Sequence, residues 1–429
     1  MSILSTNKQT VQTQALTFEE LMTKLSDPIQ VNRDRAAKLF NEILEKYKKV
    51  AEHELNAVLQ HKKVTDELRN YPRPDSARLL SDDISAEIVD TLLETVQKNL
   101  QISRDFYQFK AKLFGKEKLA YHERNLEYGK SIQSYTFDEG VEILRRVFKK
   151  LDGQNSDFSY ILEDYLANGK IDVMPRVGKR GGAFMTGNTG RITDPTFIFL
   201  NWTGTLNDIQ TFAHEMGHAC NYEMMKQTEI ALNWENSHLT TESPSTFMED
   251  FVLLDILENT VDDEQKLAIL MKKLNDDISS IFRQISLYLF ELELHREFRQ
   301  IGYLSSEKIG ELFQKNMANY MGDGVEKSAG SENWWIYWSH IRMMFYVYSY
   351  GAGLLISKFM QNEYKQNPDF MVKIKEFYRS GMSDSPVETL RKTLGIDATQ
   401  PAIWQKGLQE TAENLKTAKE LAAKLGLVK

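Results

Sequence analysis

The chain reads as a mostly α-helical protein carrying one small β-sheet, and three observations predict this. Apolar residues recur three and four apart through nearly all of the 429 residues, the period of helices with one buried face. Strand-like sequence is confined to Thr196-Phe-Ile-Phe-Leu-Asn-Trp202, where aromatic and β-branched residues cluster. Glycine concentrates just before it, in Gly178-Lys-Arg-Gly-Gly-Ala-Phe-Met-Thr-Gly-Asn-Thr-Gly190, and such a run demands irregular backbone or a hairpin.

Taken in order, residues 1–16 are polar and aperiodic and are expected to form a mobile leader. Asp27-Pro28 introduces the first long helical pattern, with Leu39, Phe40, Ile43, Leu44 and Tyr47 on one face. Two prolines in Asn70-Tyr-Pro-Arg-Pro74 restrict the backbone and break it. Ile84 to Phe114 reads as further helix with an apolar stripe of Ile88, Leu92, Leu93, Val96 and Leu100, and Phe137–Phe148 and Tyr160–Leu166 continue in the same manner. After the strand, Gly204 leads into a helix expected to start near Asn207 or Asp208. Glu242 to Leu257 and Asp262 to Gln300 are helical, the second with Leu274, Ile278, Ile281, Ile285 and Leu292 on one side. A loop with Gly322, Gly324 and Gly330 precedes the aromatic block Trp334–Trp338, and Gly381 to Pro386 breaks the last helical part. The tail, Thr411 to Leu425, is rich in Ala, Lys, Glu and Leu and is expected to be an exposed terminal helix. Residues 17–150 and 151–429 are expected to form two regions packed as one unit.

Bulk composition narrows the function. Hydrophobic content of 41% and charged content of 27% are those of an ordinary globular protein. A net charge of −8 speaks against nucleic-acid binding. No stretch approaches the roughly 20 apolar residues of a membrane span, and Met1–Lys8 has no apolar core like that of a secretory signal. A single cysteine, Cys220, excludes an internal disulfide and fits a reducing compartment, so a cytoplasmic location is expected.

The chemistry concentrates in Thr211-Phe-Ala-His-Glu-Met-Gly-His-Ala-Cys-Asn-Tyr222. His214 and His218 stand four apart, so on a helix they project from one face. Two imidazoles one turn apart can take the same zinc ion, and Glu215 is placed to act as a base without binding it, the H-E-x-x-H arrangement of zinc hydrolases. Gly217 inside this helix costs roughly 1 kcal/mol relative to Ala and calls for a compensating close contact. A catalytic zinc usually takes a third protein ligand. Downstream, Glu223, Glu229, Glu235, His238, Glu242 and Glu249 all qualify by chemistry. Glu242 and Glu249 fall seven apart, nearly one helix face, so one could bind the metal while the other holds a ligand imidazole.

The same residues, with Asn70–Leu79, Gly178–Phe184, Phe197–Leu206, Phe290–His295 and Phe345–Tyr350, resemble the thimet oligopeptidase and oligoendopeptidase F family of zinc metallopeptidases, nearest the oligoendopeptidase F branch. The resemblance implies a large helical metallopeptidase with a small β-sheet beside the zinc-motif helix and a deep substrate cleft. It implies one Zn2+ per chain on His214, His218 and Glu242, with Glu249 holding a ligand imidazole from behind, and leaves His238 as the physical rival for the third position. It implies that Glu215 is the catalytic base and that His340, Tyr346 and Tyr350 donate to the oxyanion; on a helix Tyr346 and Tyr350, four apart, can point together while Tyr348 points elsewhere. Phe197, Phe199, Asn201, Gly181 and Gly182 are expected to bind substrate, the run from Phe197 to Trp202 serving as a strand edge for an extended peptide. His295 and Cys220 are expected to be packing residues. The function implied is a zinc-dependent protease acting inside short unstructured peptides; a metallocarboxypeptidase, or a non-catalytic peptide-binding protein, would use the same fold.

Three departures stand out. Asn221 occupies a position where the family often has a further His, and Trp338-Ser339 precedes His340 where Ile-Pro is common. Family members carry a sizeable helical region ahead of the point where this chain starts. From that, a more open cleft is expected, with self-association or a partner chain covering the face those helices pack on.

Overall fold

The apolar stripes become helices that bury them against one another. The computed structural model describes residues 2–4, 13–15, 17–129, 134–187 and 195–428. In chain order the helices are α1 (Phe18–Lys24), α2 (Gln30–Leu68), α3 (Ser76–Ser81), α4 (Ala86–Lys98), α5 (Gln101–Leu113), α6 (Phe137–Asp152) and α7 (Asp157–Ala167). There follow α8 (Leu206–Met225), α9 (Ser243–Asn259), α10 (Asp263–Asp277), α11 (Gln284–Ile301), α12 (Ser306–Met321), α13 (Tyr348–Gln366), α14 (Met371–Arg379), α15 (Pro386–Thr389) and α16 (Pro401–Lys424). No helix among the described residues is long and apolar enough to cross a membrane.

Local chemistry sets the boundaries. The long helix α2 ends where Asn70 turns left-handed (φ 54°) ahead of Pro72 and Pro74. The α4 stripe of Ile88, Leu92, Leu93 and Val96 is fully inside, and the single large core cluster runs from Leu21 to Ala422. Helix α8 starts at Leu206, slightly earlier than the sequence suggested, because Thr205 and Asp208 cap it reciprocally. The continuous stretch read from 84 to 114 divides at Asn99–Leu100, and the one from 262 to 300 carries a π-turn at Ile278–Arg283 between α10 and α11.

Two expectations are corrected. The terminal helix is not an exposed rod: Trp404, Leu408, Leu415, Ala418 and Ala422 of α16 are buried where it packs on α13, α10 and α4. Its alanines read as solvent-side helix formers, yet small residues are what a close helix contact requires. The strand expected to be an edge is central. β1 (Ser2–Leu4) pairs with β2 (Thr13–Ala15) as a separate antiparallel ribbon; the rest of the segment read as a mobile leader lies outside the described residues. In the main sheet, β3 (Ile171–Asp172) and β4 (Phe184–Thr186) flank β5 (Phe197–Phe199), in the order β3-β5-β4. The glycine-rich segment folds back as β4 and pairs antiparallel with β5, so the edges of this sheet are β3 and β4. Residue type in so short a run cannot distinguish a central strand from an edge.

Candidate active site

Helix α8 carries His214, Glu215 and His218 on its course past the first turn of α9. Glu242, the residue just before α9, approaches because two glycines make room. A Cβ on Gly217 of α8 would lie 2.6 Å from the Pro244 carbonyl oxygen, and one on Gly353 of α13 would lie 2.7 Å from Glu242 Cβ. The contact that Gly217 called for is thus the ligand-bearing turn itself. Tyr378 fastens the turn from behind, its hydroxyl donating to the Pro244 carbonyl at 2.7 Å.

The result is a set of three donor atoms facing one point. Nε2 of His214 and Nε2 of His218 lie 3.4 Å and 3.5 Å from the same oxygen, Oε2 of Glu242. Ligands about 2.0–2.1 Å from a tetrahedral zinc are separated by about 3.3–3.4 Å, so the spacing and the N,N,O donor set fit that ion. Glu249, two turns along α9, sits 3.1 Å from Nδ1 of His214, which leaves Nε2 for the ion. The buried Gln210 amide reaches the other Glu249 oxygen at 3.4 Å. His238 is not in this cluster; its Nδ1 lies 2.7 Å from Asp82. A second group, Asp34, His122 and Glu123, also has ligating atoms near one another. There the Glu123 carboxylate already holds Arg33 at 2.7 Å and Lys116 at 2.6 Å, which spends its charge.

The electrostatics follow from the same contacts. Burial disfavours a charged His214, but hydrogen bonds to Glu242 and Glu249 outweigh it and hold its pKa well above the ordinary value. Burial likewise opposes ionisation of Glu242, and the two imidazoles reverse this, keeping it far below the carboxylate range. Glu215 is different: burial raises its pKa and the nearby histidines only partly compensate. A carboxylate made more basic in this way suits proton abstraction. Glu215 also meets the backbone N–H of Met185, so β4 runs directly beside it.

The aromatic donors assemble by an unexpected route. The sequence placed Tyr346 and Tyr350 together as helix neighbours, but α13 begins only at Tyr348. Tyr346 lies in a turn where Met344 (φ 50°) and Phe345 (φ 57°) are both left-handed. Such conformations cost of order 1–3 kcal/mol each for non-glycine residues. That turn brings the Tyr346 ring within 5.5 Å of Tyr350 and 6.3 Å of His340. The Tyr350 hydroxyl is 3.5 Å from Nε2 of His340. Burial, then Tyr346, raises the Tyr350 pKa, so it stays protonated and able to donate. Tyr348 points elsewhere, its hydroxyl donating to buried Asp82 at 2.6 Å. Glu291 of α11 accepts the Phe345 N–H at 2.7 Å, and its burial pushes its carboxyl up to about 8.

The remaining residues frame the sheet. Phe197 is exposed, and Phe199 stacks on Phe184 of β4 at 4.7 Å. Asn201 donates from one amide nitrogen to the Arg180 and Gly182 carbonyls, both at 2.9 Å, tying down the loop that holds exposed Gly181 and Gly182. His295 is buried against Phe345, and Cys220 is fully buried, as packing residues. Sequence reasoning gave no role to Arg78, Asp82, Glu291, Gly353 or β4. A buried carboxylate 156 positions before its histidine partner leaves no local trace in the chain.

Fold and site together define a mostly helical protein whose H-E-x-x-H helix, with the glutamate that caps the next helix, groups three side chains that could hold a metal ion. The chain belongs to peptidase family M3, whose family model matches residues 25–410. It is 25% identical to oligopeptidase PepF of Bacillus subtilis over 362 residues, covering 83% of this chain and 53% of that protein. It is 24% identical to the group B oligopeptidase PepB of Streptococcus agalactiae, covering 83% and 58% respectively. The chain therefore spans little more than half the length of these relatives. Among solved structures, a chain from Chlamydophila abortus matches with a TM-score of 0.86 at 21% identity, over 96% of this chain and 68% of that one. Oligoendopeptidase-F from Enterococcus faecium matches with a TM-score of 0.76 at 20% identity, over 99% and 69%.

Two outcomes follow from this geometry. Gly217→Ala forces the α9 turn away from α8, so it should destabilise the fold by about 1–3 kcal/mol and weaken zinc binding together; thermal melting and metal titration check both. Glu291 should give stability a pH slope. Its folded pKa of about 8 lies above the ordinary 4.5, so the folded chain keeps a proton that the unfolded chain releases. Stability from this group is therefore full below the lower value and falls as pH rises toward the upper one. Melting curves of Glu291→Gln, which cannot ionise, should gain on the parent steadily as pH rises from 5 to about 8.

Proposed function

We propose that this chain is a zinc-dependent oligopeptidase that hydrolyses internal bonds of short, unstructured peptides. The observation that carries the reading is the approach of His214 and His218 to one oxygen of Glu242 at 3.4 and 3.5 Å, beside a buried and unusually basic Glu215, in a chain of family M3. A zinc ion held by these three residues supplies Lewis-acid activation of water and of the scissile carbonyl. Glu249 keeps His214 oriented through Nδ1. Glu215 takes a proton from the attacking water and delivers it to the leaving amine. Tyr346 and Tyr350, with His340 behind the latter, donate to the carbonyl oxygen as it gains charge. The free edge of β4 offers main-chain partners to an extended peptide, with Phe199 stacked beneath Phe184 and Asn201 holding the loop of Gly181 and Gly182. The lone thiol of Cys220, buried and unpaired, is in keeping with a cytoplasmic location. Residues 17–150 and 151–429 act as one unit, since Arg78 and Asp82 reach into the second region.

Incubation of a mixed peptide pool with zinc-loaded protein, read by mass spectrometry, tests the reaction. Internal cleavage is expected; removal of single C-terminal residues would make it a carboxypeptidase, and intact peptides a binding protein. Glu242→Ala should lose zinc and activity, and a chelator should do the same to the parent. Glu215→Gln should retain zinc and lose hydrolysis. Tyr346→Phe and Tyr350→Phe should each lower kcat by about 10²–10³ with little change in KM, as for loss of one transition-state donor.

A further inference from the structure

Tyr346 is not held by its own helix, and the groups that do hold it come from far away in the chain. Arg78 of α3 donates from Nη2 to the Met343 carbonyl at 3.0 Å and from Nε to the Met344 carbonyl at 3.3 Å. The same guanidinium lies 6.0 Å from the centre of the Tyr346 ring. Asp82, which ends α3 and is almost fully buried, is 3.8 Å from Arg78 and uses both its oxygens inward. One is 2.7 Å from Nδ1 of His238 and the other accepts the Tyr348 hydroxyl at 2.6 Å. The His238 and Tyr346 rings meet edge to face, with centroids 5.1 Å apart at 82°. The Ser237 hydroxyl donates to the Asp82 backbone carbonyl at 2.9 Å, locking the two segments in register.

We infer that Arg78 and Asp82 are positioning residues for Tyr346: Arg78 grips the left-handed turn that carries it, and Asp82 fixes the His238 ring that packs against it. The inference rests on the proposed role of Tyr346 as an oxyanion donor. Neither residue touches the metal cradle, so each acts through the tyrosine. Two consecutive left-handed residues persist only where their surroundings over-determine them. Here the carbonyls of Met343 and Met344 and the N–H of Phe345 are all fixed by side chains of other helices. Asp82 also links the halves of the site, because His238 lies four residues before the ligand Glu242.

The test is a double-mutant cycle with kcat and KM measured separately. Asp82→Asn and Arg78→Ala are made in the parent and in Tyr346→Phe, with zinc content and melting temperature recorded for each. In the parent, each should lower kcat about tenfold or more, as expected for a misplaced catalytic group. KM should stay within about twofold and zinc should remain bound. In the Tyr346→Phe background the same changes should cost less than about twofold, because the group they position is already gone. Losses that multiply across the two backgrounds, or an unchanged kcat in both single variants, would overturn the inference while leaving the oxyanion role intact. An unchanged kcat in Tyr346→Phe itself would instead remove the oxyanion role, and this inference with it. Should Asp82→Asn fail to fold, the half-buried Arg78 carries the cycle alone.

Discussion

Glu242 reaches the histidines because α8 and α13 both leave out a side chain where α9 begins. Gly217 faces this turn at Pro244 and Gly353 faces it at Glu242, and a methyl group on either would occupy space already filled. Ligand spacing is therefore a packing result before it is an electrostatic one. The donor atoms stand 3.4 Å and 3.5 Å apart because three backbones meet there without side chains between them. Once the backbones are fixed, the charges follow, as Glu242 is held ionised by the imidazoles it faces.

Behind this junction lies a buried set of paired charges that ties the same helices together. Lys273 of α10 binds Asp250 of α9 at 2.6 Å, and Lys358 of α13 binds Asp277 at the end of α10 at 2.8 Å. Thr411 of α16 donates to Asp277 at 2.9 Å. Such pairs are weak sources of net stability, since desolvation consumes most of their attraction. Their directional demand is the stronger effect: each fixes one helix against another next to Glu249. The Tyr346 turn is held separately, by Arg78, Glu291 and the Asp82–His238 pair. The candidate site thus combines three closely braced potential ligands with a Tyr346 turn held in part from the N-terminal helices.

The sequence by itself determined the helical class, most helix positions and the two histidines of the candidate metal site. These are short-range properties. Periodicity sets which face of α4 is buried, and a four-residue spacing puts His214 and His218 on one face whatever surrounds them. The resemblance to a peptidase family supplied Glu242 in preference to His238, a choice spacing left open and the geometry agrees with. Tertiary structure alone decided which strand forms the sheet edge, that α16 is buried, and how Tyr346 meets Tyr350. Each depends on which segments become neighbours, and residue type carries little of that information. Asp82 is the clearest instance. In the chain it is one acid among 61 Asp and Glu residues, and only the fold brings its two oxygens to His238 and Tyr348.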